Sequence, residues 1–362
     1  MKDIDYMQKA LLLAAKGQGY VSPNPMVGAI IVKDDKIIGK GYHMKYKENH
    51  AEVNAINSAS ESLENATMYV TLEPCTHYGN TPPCVDAIIK AKISMVVIAT
   101  LDVNLNVSGK GVAILKANNI KVTVGVLEAQ AQALNKVYNY FTINNLPYLT
   151  LKYAMSIDGK IATYTNDSKW ISNELSRLDV HKTRSMNSAI MVGINTIIND
   201  NPLLNCRIEG GRDPIRIIVD TTLKIPINSL IVQTSSSIKT IIATCSSDIA
   251  KIKNLEKYGC IILKVKQLHN LVDLHDLMSK LALMKIDSIL LEGGSTLNWS
   301  AINQEIVNEI HVYIGSLIIG GKNSLAPVGG RGFEKIKDTL HLSKPKTKIF
   351  EDDILLMYEV LK

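Results

Sequence analysis

Short apolar runs separated by polar turns recur through the chain and predict an α/β protein. In the first part of the chain the runs are rich in Val and Ile, and two of them are joined through Asp34-Asp35 as a hairpin. The predicted strands are residues 27–32, 36–42, 67–72, 94–100 and 120–126. Helical stretches flank the later strands, and the order β-β-α-β-α-β predicts a layered α/β domain.

The same alternation returns after a polar stretch at Asn144-Asn145-Leu146-Pro147, which follows a helix predicted to end near Tyr140. We therefore expect two domains, residues 1–145 and 146–362. Strands are predicted at residues 148–155, 189–193, 215–220, 240–244, 260–265, 288–292 and 309–315, followed by a pair at 348–350 and 354–361. The final pair turns at residues 351–353, so a mostly parallel sheet closed by an antiparallel hairpin is expected.

Composition agrees with a soluble two-domain protein. The chain has 362 residues, of which 46% are hydrophobic and 20% charged. Its net charge of +6 comes from scattered lysines. Because no dense basic run interleaves with aromatic residues, we expect no nucleic-acid partner and interpret the charge as solvated surface that can steer anionic substrates.

The five cysteines do not form a disulfide framework in a chain of this length. Cys206, Cys245 and Cys260 have no metal-ligand partner nearby in sequence and are interpreted as plain thiols. The N-terminal region begins as an amphipathic helix rather than a cationic leader with a cleavage site. No apolar run approaches the ~20 residues of a membrane span, so a reducing cytoplasm and no membrane association are expected.

The sharpest chemical motif is His50-Ala51-Glu52, followed by Pro74-Cys75 and Pro83-Cys84. One imidazole and two thiolates leave one tetrahedral position on zinc open, which is typical of a catalytic site. Zinc lowers the pKa of a water there to ~7. Glu52, two residues beyond the first ligand, can take the proton of that water and later deliver it to departing ammonia.

Helix-forming sequence follows both His50 and Cys75, so helix N-termini are expected to face the metal and favour the thiolates. Taken alone, His50 could equally be a buried core histidine and the cysteines unrelated thiols. The combination with Glu52 and two Pro-Cys pairs favours the metal site, because such spacing rarely arises by chance.

The segment from Thr71 to Cys84, TLEPCTHYGNTPPC, resembles the deaminase half of the RibD family of bifunctional riboflavin biosynthesis proteins, as do PNPMVG at 23–28 and GKGYH at 39–43. The resemblance implies a cytidine-deaminase-like α/β/α domain. It also implies one zinc ion bound by His50, Cys75 and Cys84, with Glu52 as proton shuttle. Asn24 and His77 are implied to lie near the pyrimidine.

The resemblance extends to residues 102–111, where the family usually reads D-P-N-P-x-V-x-G-K-G. This chain has Val103 and Leu105 in place of the two prolines. Because proline restricts the unbound chain, we expect a freer loop before substrate binds. Asn104, Gly109 and Lys110 are retained and could hold a substrate phosphate.

The second half lacks a G-x-G-x-x-G after a strand, so a standard Rossmann site is not supported. The run from Glu292 to Thr296, EGGST, lies at a predicted strand-to-helix junction, where small residues let a phosphate approach backbone N–H groups. Standing alone, such a glycine pair is more often a tight turn.

Other segments of this half, residues 152–162, 168–172 and the spaced residues from His181 to Arg207, resemble the RibD reductase half, which implies a dihydrofolate-reductase-like α/β domain. The resemblance implies an NADPH site made of Ala154, Trp170, Thr196, Asp200, Thr221, Gly294, Ser295, Thr296, Leu297, Asn298, Trp299 and Ser300. It implies substrate contacts from Lys152, Ser168, Arg184, Leu204, Arg207 and Glu292. Paired donors on an arginine suit a sugar phosphate, and Lys152 is expected to orient the reactants.

The resemblance implies hydrolytic deamination of 2,5-diamino-6-ribosylamino-4(3H)-pyrimidinone 5′-phosphate and then NADPH-dependent reduction of its ribosyl group to ribityl. A small pyrimidine ribosyl phosphate is thus the expected ligand, and homo-oligomer formation is left open. One alternative is a nucleoside or tRNA deaminase with an unrelated appended nucleotide-binding domain, which predicts a basic, aromatic-lined channel that the sequence lacks. Another is a non-catalytic zinc module fused to a nucleotide sensor, which Glu52 argues against because a structural site gains nothing from a non-ligand carboxylate.

Overall fold

A computed structural model describes residues 3–78, 82–105 and 107–361 of the chain. The chain divides into two compact units, Met1–Asn145 and Leu146–Lys362. In the described part of the chain, no helix is long and apolar enough to cross a membrane.

The first unit has a five-stranded sheet with helices on both faces. Its elements, in chain order, are α1 Asp3–Ala14, a 3₁₀ turn Ala15–Gly17, β1 Gly28–Lys33, β2 Lys36–Tyr42, α2 Ala51–Asn57, β3 Thr67–Val70, α3 Cys84–Lys90, β4 Met95–Ile98, α4 Lys110–Ala117, β5 Lys121–Val124, α5 Glu128–Leu134 and α6 Lys136–Asn144. The strand order is β2-β1-β3-β4-β5. Strand β1 pairs antiparallel with β2 and β3, whereas β3, β4 and β5 are parallel.

Successive side chains of β1 point to opposite faces of the sheet, so that the sheet lies as a middle layer between two layers of helices. Ala29 and Ile31 pack into a core shared with α2, α3 and α4, while Ile30 faces the opposite core, where α1 packs. This two-residue period is the pattern of a strand covered on both faces. A side chain at Gly28 would place its Cβ 2.1 Å from the carbonyl oxygen of Ala10, so this glycine allows α1 to lie directly on β1.

The second unit contains a nine-stranded sheet. Its elements are β6 Tyr148–Ser156, α7 Glu174–Met186, β7 Ala189–Gly193, α8 Ile194–Asp200, β8 Ile215–Val219, α9 Leu230–Gln233, β9 Thr240–Thr244, α10 Ile249–Lys257, β10 Ile261–Lys264, β11 Gln267–Leu268, β12 Leu271–Val272, α11 Leu274–Leu283, β13 Ser288–Leu291, α12 Ser295–Asn303, β14 Glu309–Gly315, a 3₁₀ turn Ile336–Asp338, β15 Lys346–Phe350 and β16 Asp353–Glu359. The sheet order is β10-β9-β8-β7-β13-β6-β14-β16-β15, and β11 and β12 form a separate hairpin.

Seven strands of this sheet, from β10 to β14, run parallel, and the β15–β16 hairpin closes it antiparallel. Within β7, Ala189 and Met191 face one core while Ile190 and Val192 face the other. Because carboxyl ends of neighbouring parallel strands meet at one edge, this sheet has a natural place for a ligand crevice there.

The α/β prediction is confirmed in both units, and each predicted strand is present. Strands β2, β7, β9 and β14 have the predicted bounds, and the others differ by a few residues at their ends. The helix expected to end near Tyr140 continues to Asn144. The β11–β12 hairpin was not predicted from the sequence. Its two-residue strands turn through His269 and Asn270, which both have positive φ angles of 46° and 62°, and neither residue is the glycine that usually signals such a turn.

Candidate active sites

The three predicted metal ligands converge in the first unit. His50 directly precedes α2, Cys75 lies in the loop after β3, and Cys84 is the first residue of α3. His50 Nδ1 lies 3.3 Å from Cys84 Sγ and 3.5 Å from Cys75 Sγ. One ligand atom from each residue lies within 4.8 Å of the other two, so all three can bind one ion.

These separations fit zinc. Tetrahedral bonds of ~2.0–2.1 Å to nitrogen and ~2.3 Å to sulfur imply ligand atoms roughly 3.5 Å apart, which the two nitrogen–sulfur distances of 3.3 and 3.5 Å match. The donor set of one imidazole and two thiols is also one that zinc prefers. Three protein ligands leave a fourth position for a reacting group.

Hydrogen bonds make Cys75 the more readily ionised thiol. Hydrogen bonds to the Cys84 thiol and the His50 ring lower the pKa of Cys75 to about 4, although burial opposes this shift. The bond to Cys75 and burial both raise the pKa of Cys84. The backbone N–H of Cys84, at the start of α3, donates to Cys75 Sγ at 3.4 Å. The expectation that a helix follows Cys75 is therefore wrong: the helix begins at Cys84, and its first N–H reaches back to Cys75.

Glu52 is the second residue of α2 and is only 3% exposed. Burial raises the pKa of its carboxyl group to about 7. Together with His50 and Cys75 it forms part of the wall of a cavity of about 290 Å³. A carboxyl group with this pKa can both accept and donate a proton near neutrality.

The wall of this cavity also contains Asn24 and His43. The His43 ring is held between two groups, since its Nδ1 lies 3.1 Å from the carbonyl oxygen of Asn49 and its Nε2 lies 3.3 Å from Asn24 Nδ2. Because a carbonyl only accepts, the ring donates from Nδ1 and accepts from Asn24 at Nε2. This arrangement fixes the orientation of the Asn24 amide. His77 is exposed and also lies in the wall.

The loop after β4 is anchored by Glu73. Its buried carboxylate accepts backbone N–H bonds from Gly109 at 2.9 Å, Val112 at 3.1 Å and Asp102 at 3.4 Å. Tyr138 of α6 donates to both carboxylate oxygens of Asp102, at 3.0 and 3.2 Å. These bonds hold the described part of a loop that lacks the two family prolines.

Asn104, one of the residues suggested for phosphate binding, forms part of this wall, but Lys110 is exposed and lies outside it. The Gly109 N–H is already bonded to Glu73. Of the replacements for proline, Leu105 is 88% exposed. The phosphate role suggested for Gly109 and Lys110 stays a prediction that the cavity wall does not favour.

We expect Glu73→Gln to destabilise the first unit by about 1–3 kcal/mol, because the amide group turns one acceptor into a donor facing backbone N–H groups. Thermal unfolding should show a lower midpoint, and the KM of the reaction in this cavity should rise as the loop loosens. Zinc content should stay at one per chain. An unchanged unfolding midpoint would contradict the anchoring role.

The second unit holds a larger cavity of about 520 Å³ at the carboxyl ends of its parallel strands. Most of the residues implied by the family resemblance meet in its wall. They are Lys152, Ala154, Ser168, Thr196, Asp200, Thr221, Glu292, Gly294, Ser295, Thr296, Leu297, Asn298 and Ser300. A volume within the ~300–1,000 Å³ typical of cofactor sites suits a dinucleotide part.

The Gly293-Gly294 pair allows close approach to the N-terminus of α12. Gly293 and Gly294 have φ angles of +107° and +83°, which other residues rarely adopt, and Gly294 precedes the helix without a side-chain cap. The first-turn N–H groups are therefore available to a phosphate. The residues present fit a nicotinamide cofactor.

Arg184 and Glu292 form a buried two-pronged ion pair. Arg184 Nε and Nη2 donate to the Glu292 carboxylate at 2.6 and 2.9 Å, and Nη1 donates to the Asn205 carbonyl at 3.1 Å. Burial alone would raise the pKa of Glu292, but Arg184 lowers it below its usual range. Burial lowers the pKa of neighbouring Lys152, whose Nζ lies 5.3 Å from the centre of the Tyr313 ring.

Five implied residues lie outside the described wall of this cavity: Trp170, Arg184, Leu204, Arg207 and Trp299. Trp170 is 66% exposed and its ring lies under the Arg177 guanidinium. Leu204 packs in the core, Arg207 is exposed beside Asn205, and Trp299 contacts Phe333. Arg184 reaches the wall only through Glu292.

Several wall residues were missed by sequence reasoning. In the cavity of the first unit they include Lys47, Glu48, Glu73, Tyr138 and Thr142. In the second cavity they include Tyr153, Ile161, Asn166, Gly193, Asn195, Asn199, Leu271 and Leu325. The sequence did contain a signal for Glu73. It is a charged residue between an apolar strand and the ligand Cys75, and a charged side chain that is buried needs a partner. Tyr138 and Thr142 had no such signal because they lie on a helix distant in sequence.

Comparisons with known proteins cover both units. Residues 1–100 match the zinc-binding region of cytidine and deoxycytidylate deaminases, and residues 147–356 match the RibD C-terminal domain. The riboflavin biosynthesis protein RibD of Actinobacillus pleuropneumoniae is 44% identical over 100% of this chain and 96% of that protein. The RibD of Aquifex aeolicus is 40% identical over 99% of this chain and 98% of that protein.

Solved structures agree. Acinetobacter baumannii RibD has a TM-score of 0.89 at 34% identity, with 99% of each chain covered. A Thermotoga maritima diaminohydroxyphosphoribosylaminopyrimidine deaminase/5-amino-6-(5-phosphoribosylamino)uracil reductase has a TM-score of 0.87 at 33% identity, also with 99% of each chain covered.

The second unit thus has a specific relative rather than an unrelated appended domain, so the nucleoside or tRNA deaminase alternative is not favoured. The zinc-binding region and the reductase domain support zinc and a nicotinamide cofactor. The chain therefore belongs to the RibD family of bifunctional deaminase/reductase enzymes of riboflavin biosynthesis.

Proposed function

We propose that the first unit hydrolyses the 2-amino group of 2,5-diamino-6-ribosylamino-4(3H)-pyrimidinone 5′-phosphate, releasing ammonia. The second unit then reduces the product, 5-amino-6-(5-phosphoribosylamino)uracil, to its ribityl form with NADPH. The observation that carries this proposal is the convergence of His50, Cys75 and Cys84 beside the buried Glu52. The choice of NADPH, and a cytoplasmic location, rest on the family resemblance.

In the cavity of the first unit, called the deaminase cavity below, His50, Cys75 and Cys84 would hold zinc, which when bound would supply a water molecule with a pKa lowered to ~7. Glu52 accepts a proton from this water and returns it to the leaving amino group, so that one water is consumed and one ammonia released. Asn24, whose Nδ2 is bonded to His43, presents its carbonyl oxygen to a pyrimidine N–H. His77 lies at the same wall and contacts the ring.

In the reductase cavity, NADPH supplies a hydride when bound. The first-turn N–H groups of α12 would hold a cofactor phosphate, and Thr196, Asp200 and Thr221, in the same wall, would contact the rest of the cofactor. Glu292 fixes the Arg184 guanidinium, and Lys152 orients the ribosyl group. In the net reaction the C1′–O bond of the ribose ring would open, C1′ would gain the hydride equivalent and the former ring oxygen a proton, so that two hydrogens are added. Ser168, which lies in the wall of this cavity, contacts the substrate.

The test supplies purified protein with the diamino substrate and NADPH and follows ammonia release and NADPH oxidation together. Both should occur, and NADPH oxidation should lag behind ammonia release. A chelator that removes zinc should stop both reactions from the diamino substrate but leave reduction of the deaminated product unchanged. Ammonia release that survives complete zinc removal would contradict the deaminase mechanism.

A further inference from the structure

Lys47 occupies a backbone position that favours glycine. It lies in the turn between β2 and α2, where the Glu48 N–H donates to the Lys45 carbonyl at 3.1 Å. Its φ angle is +72°, as at the third position of a type II turn, where Gly is the usual residue. A lysine held in this strained conformation in the wall of a cavity suggests a role beyond the turn.

Charge distribution in the deaminase cavity points to that role. The wall contains four acidic residues, Glu48, Glu52, Glu73 and Asp102, and among its described residues Lys47 is the one Lys or Arg. The sequence between the ligands Cys75 and Cys84 contains no Lys or Arg either. A phosphorylated substrate carries close to two negative charges and needs a cation in such a wall.

The other candidate cation is less well placed. Lys110 is exposed and lies outside the wall, and the neighbouring Gly109 N–H is bonded to Glu73. Lys47 is also exposed, and its Nζ lies 5.5 Å from the centre of the Tyr46 ring. At that distance the ring contact is weak, so the flexible lysine can exchange it for a phosphate at small cost.

We propose that Lys47 binds the 5′-phosphate of the deaminase substrate and is a residue that selects phosphorylated over unphosphorylated pyrimidine ribosides. This inference rests on the proposed function, because it names the group that recognises one part of that substrate. It predicts a contribution to substrate binding with no part in the proton transfers near the zinc ligands.

The test compares steady-state deamination of the phosphorylated substrate and of its dephosphorylated form by full-length variants. Lys47→Gln should raise KM for the phosphorylated substrate about 10- to 100-fold, as expected for loss of a charge-assisted hydrogen bond, with little change in kcat. KM for the dephosphorylated form should not change. Inorganic phosphate, used as a competitive inhibitor, should bind Lys47→Gln more weakly by a similar factor.

Three further variants separate charge from turn structure. Lys47→Arg should keep KM near the wild-type value, and Lys45→Gln, a neutralised exposed lysine two residues away, should leave it unchanged. Lys47→Gly should raise KM as Gln does, yet raise the unfolding temperature because glycine relieves the positive φ angle. Opposite effects on binding and stability cannot come from a damaged fold.

A Lys47→Gln enzyme with unchanged KM and unchanged preference for the phosphorylated substrate would overturn the inference. A loss of that preference in Lys110→Gln alone would assign the phosphate to Lys110 and also overturn it. Failure of the proposed function gives a different result, because the wild-type protein would then release no ammonia from either form of the substrate, and this inference would fall with it.

Discussion

Replacing Glu52 with Gln should lower the rate of ammonia release by about 10²- to 10⁴-fold, the range for loss of a general acid–base group. Glutamine keeps the size of the side chain but cannot carry a proton from water to the leaving group. The effect should be this large because the carboxyl group is 3% exposed, and solvent cannot easily replace it. The measurement is ammonia release from the diamino substrate, together with zinc content.

The controls for Glu52→Gln separate chemistry from metal binding. Zinc content should stay at one per chain, since Glu52 is not among the grouped ligand residues. Reduction of the deaminated product should proceed at the wild-type rate. Glu64→Gln, which neutralises a largely exposed carboxylate, should leave ammonia release unchanged. Equal ammonia release by Glu52→Gln and wild type would remove Glu52 from the mechanism.

Strand positions could be predicted because burial dictates them locally. In β1 and β7, apolar side chains are required on both faces of a sheet covered by helices, so the strand is a continuous apolar run bounded by turn residues. The ends of strands are less well determined, since no single side chain is required at an end. The short β11–β12 hairpin was missed because two-residue strands have no detectable period.

The convergence of His50, Cys75 and Cys84 could be predicted because the motif that contains them is local, while the arrangement around them could not. His50 and Glu52 are two residues apart and share the start of α2. The position of the helix near the cysteines was wrong, because a long segment separates Cys75 from Cys84 and places the helix start at the second cysteine. The ligand identity is in the sequence, but the element that carries each ligand depends on tertiary packing.

Walls of cavities are hardest to predict, because they combine residues from distant segments. Tyr138 reaches Asp102 across 36 positions in sequence, and no local pattern marks that pairing. Most of the cofactor and substrate residues implied by the family resemblance do lie in the wall of the second cavity. Trp170 lies outside the wall of that cavity, because its indole packs under Arg177 instead. Nothing in the surrounding sequence indicates whether Trp170 contacts Arg177 or the cavity.

Replacing Glu292 with Gln should destabilise the second unit and slow reduction of the deaminated product. In the Arg184–Glu292 ion pair, the Arg184 side chain is 14% exposed and the Glu292 side chain 9%. Removing the charge of Glu292 leaves a buried guanidinium without its counter-charge, which costs about 3–5 kcal/mol. The Arg184 guanidinium also loses its fixed orientation beside Lys152. We therefore expect KM for the reductase substrate to rise and the rate of reduction to fall.

The measurements for Glu292→Gln are thermal unfolding and NADPH oxidation with the deaminated product. Glu64→Gln again serves as control. The Glu64 and Lys92 side chains are 59% and 73% exposed, and Glu64 Oε1 lies 4.0 Å from Lys92 Nζ. Surface ion pairs of this kind contribute ~0–1 kcal/mol. Ammonia release should be unchanged in both variants. A Glu292→Gln protein with wild-type unfolding and normal reduction would contradict the role of the pair. Lost reduction with normal unfolding would instead mean that Glu292 acts on the substrate directly.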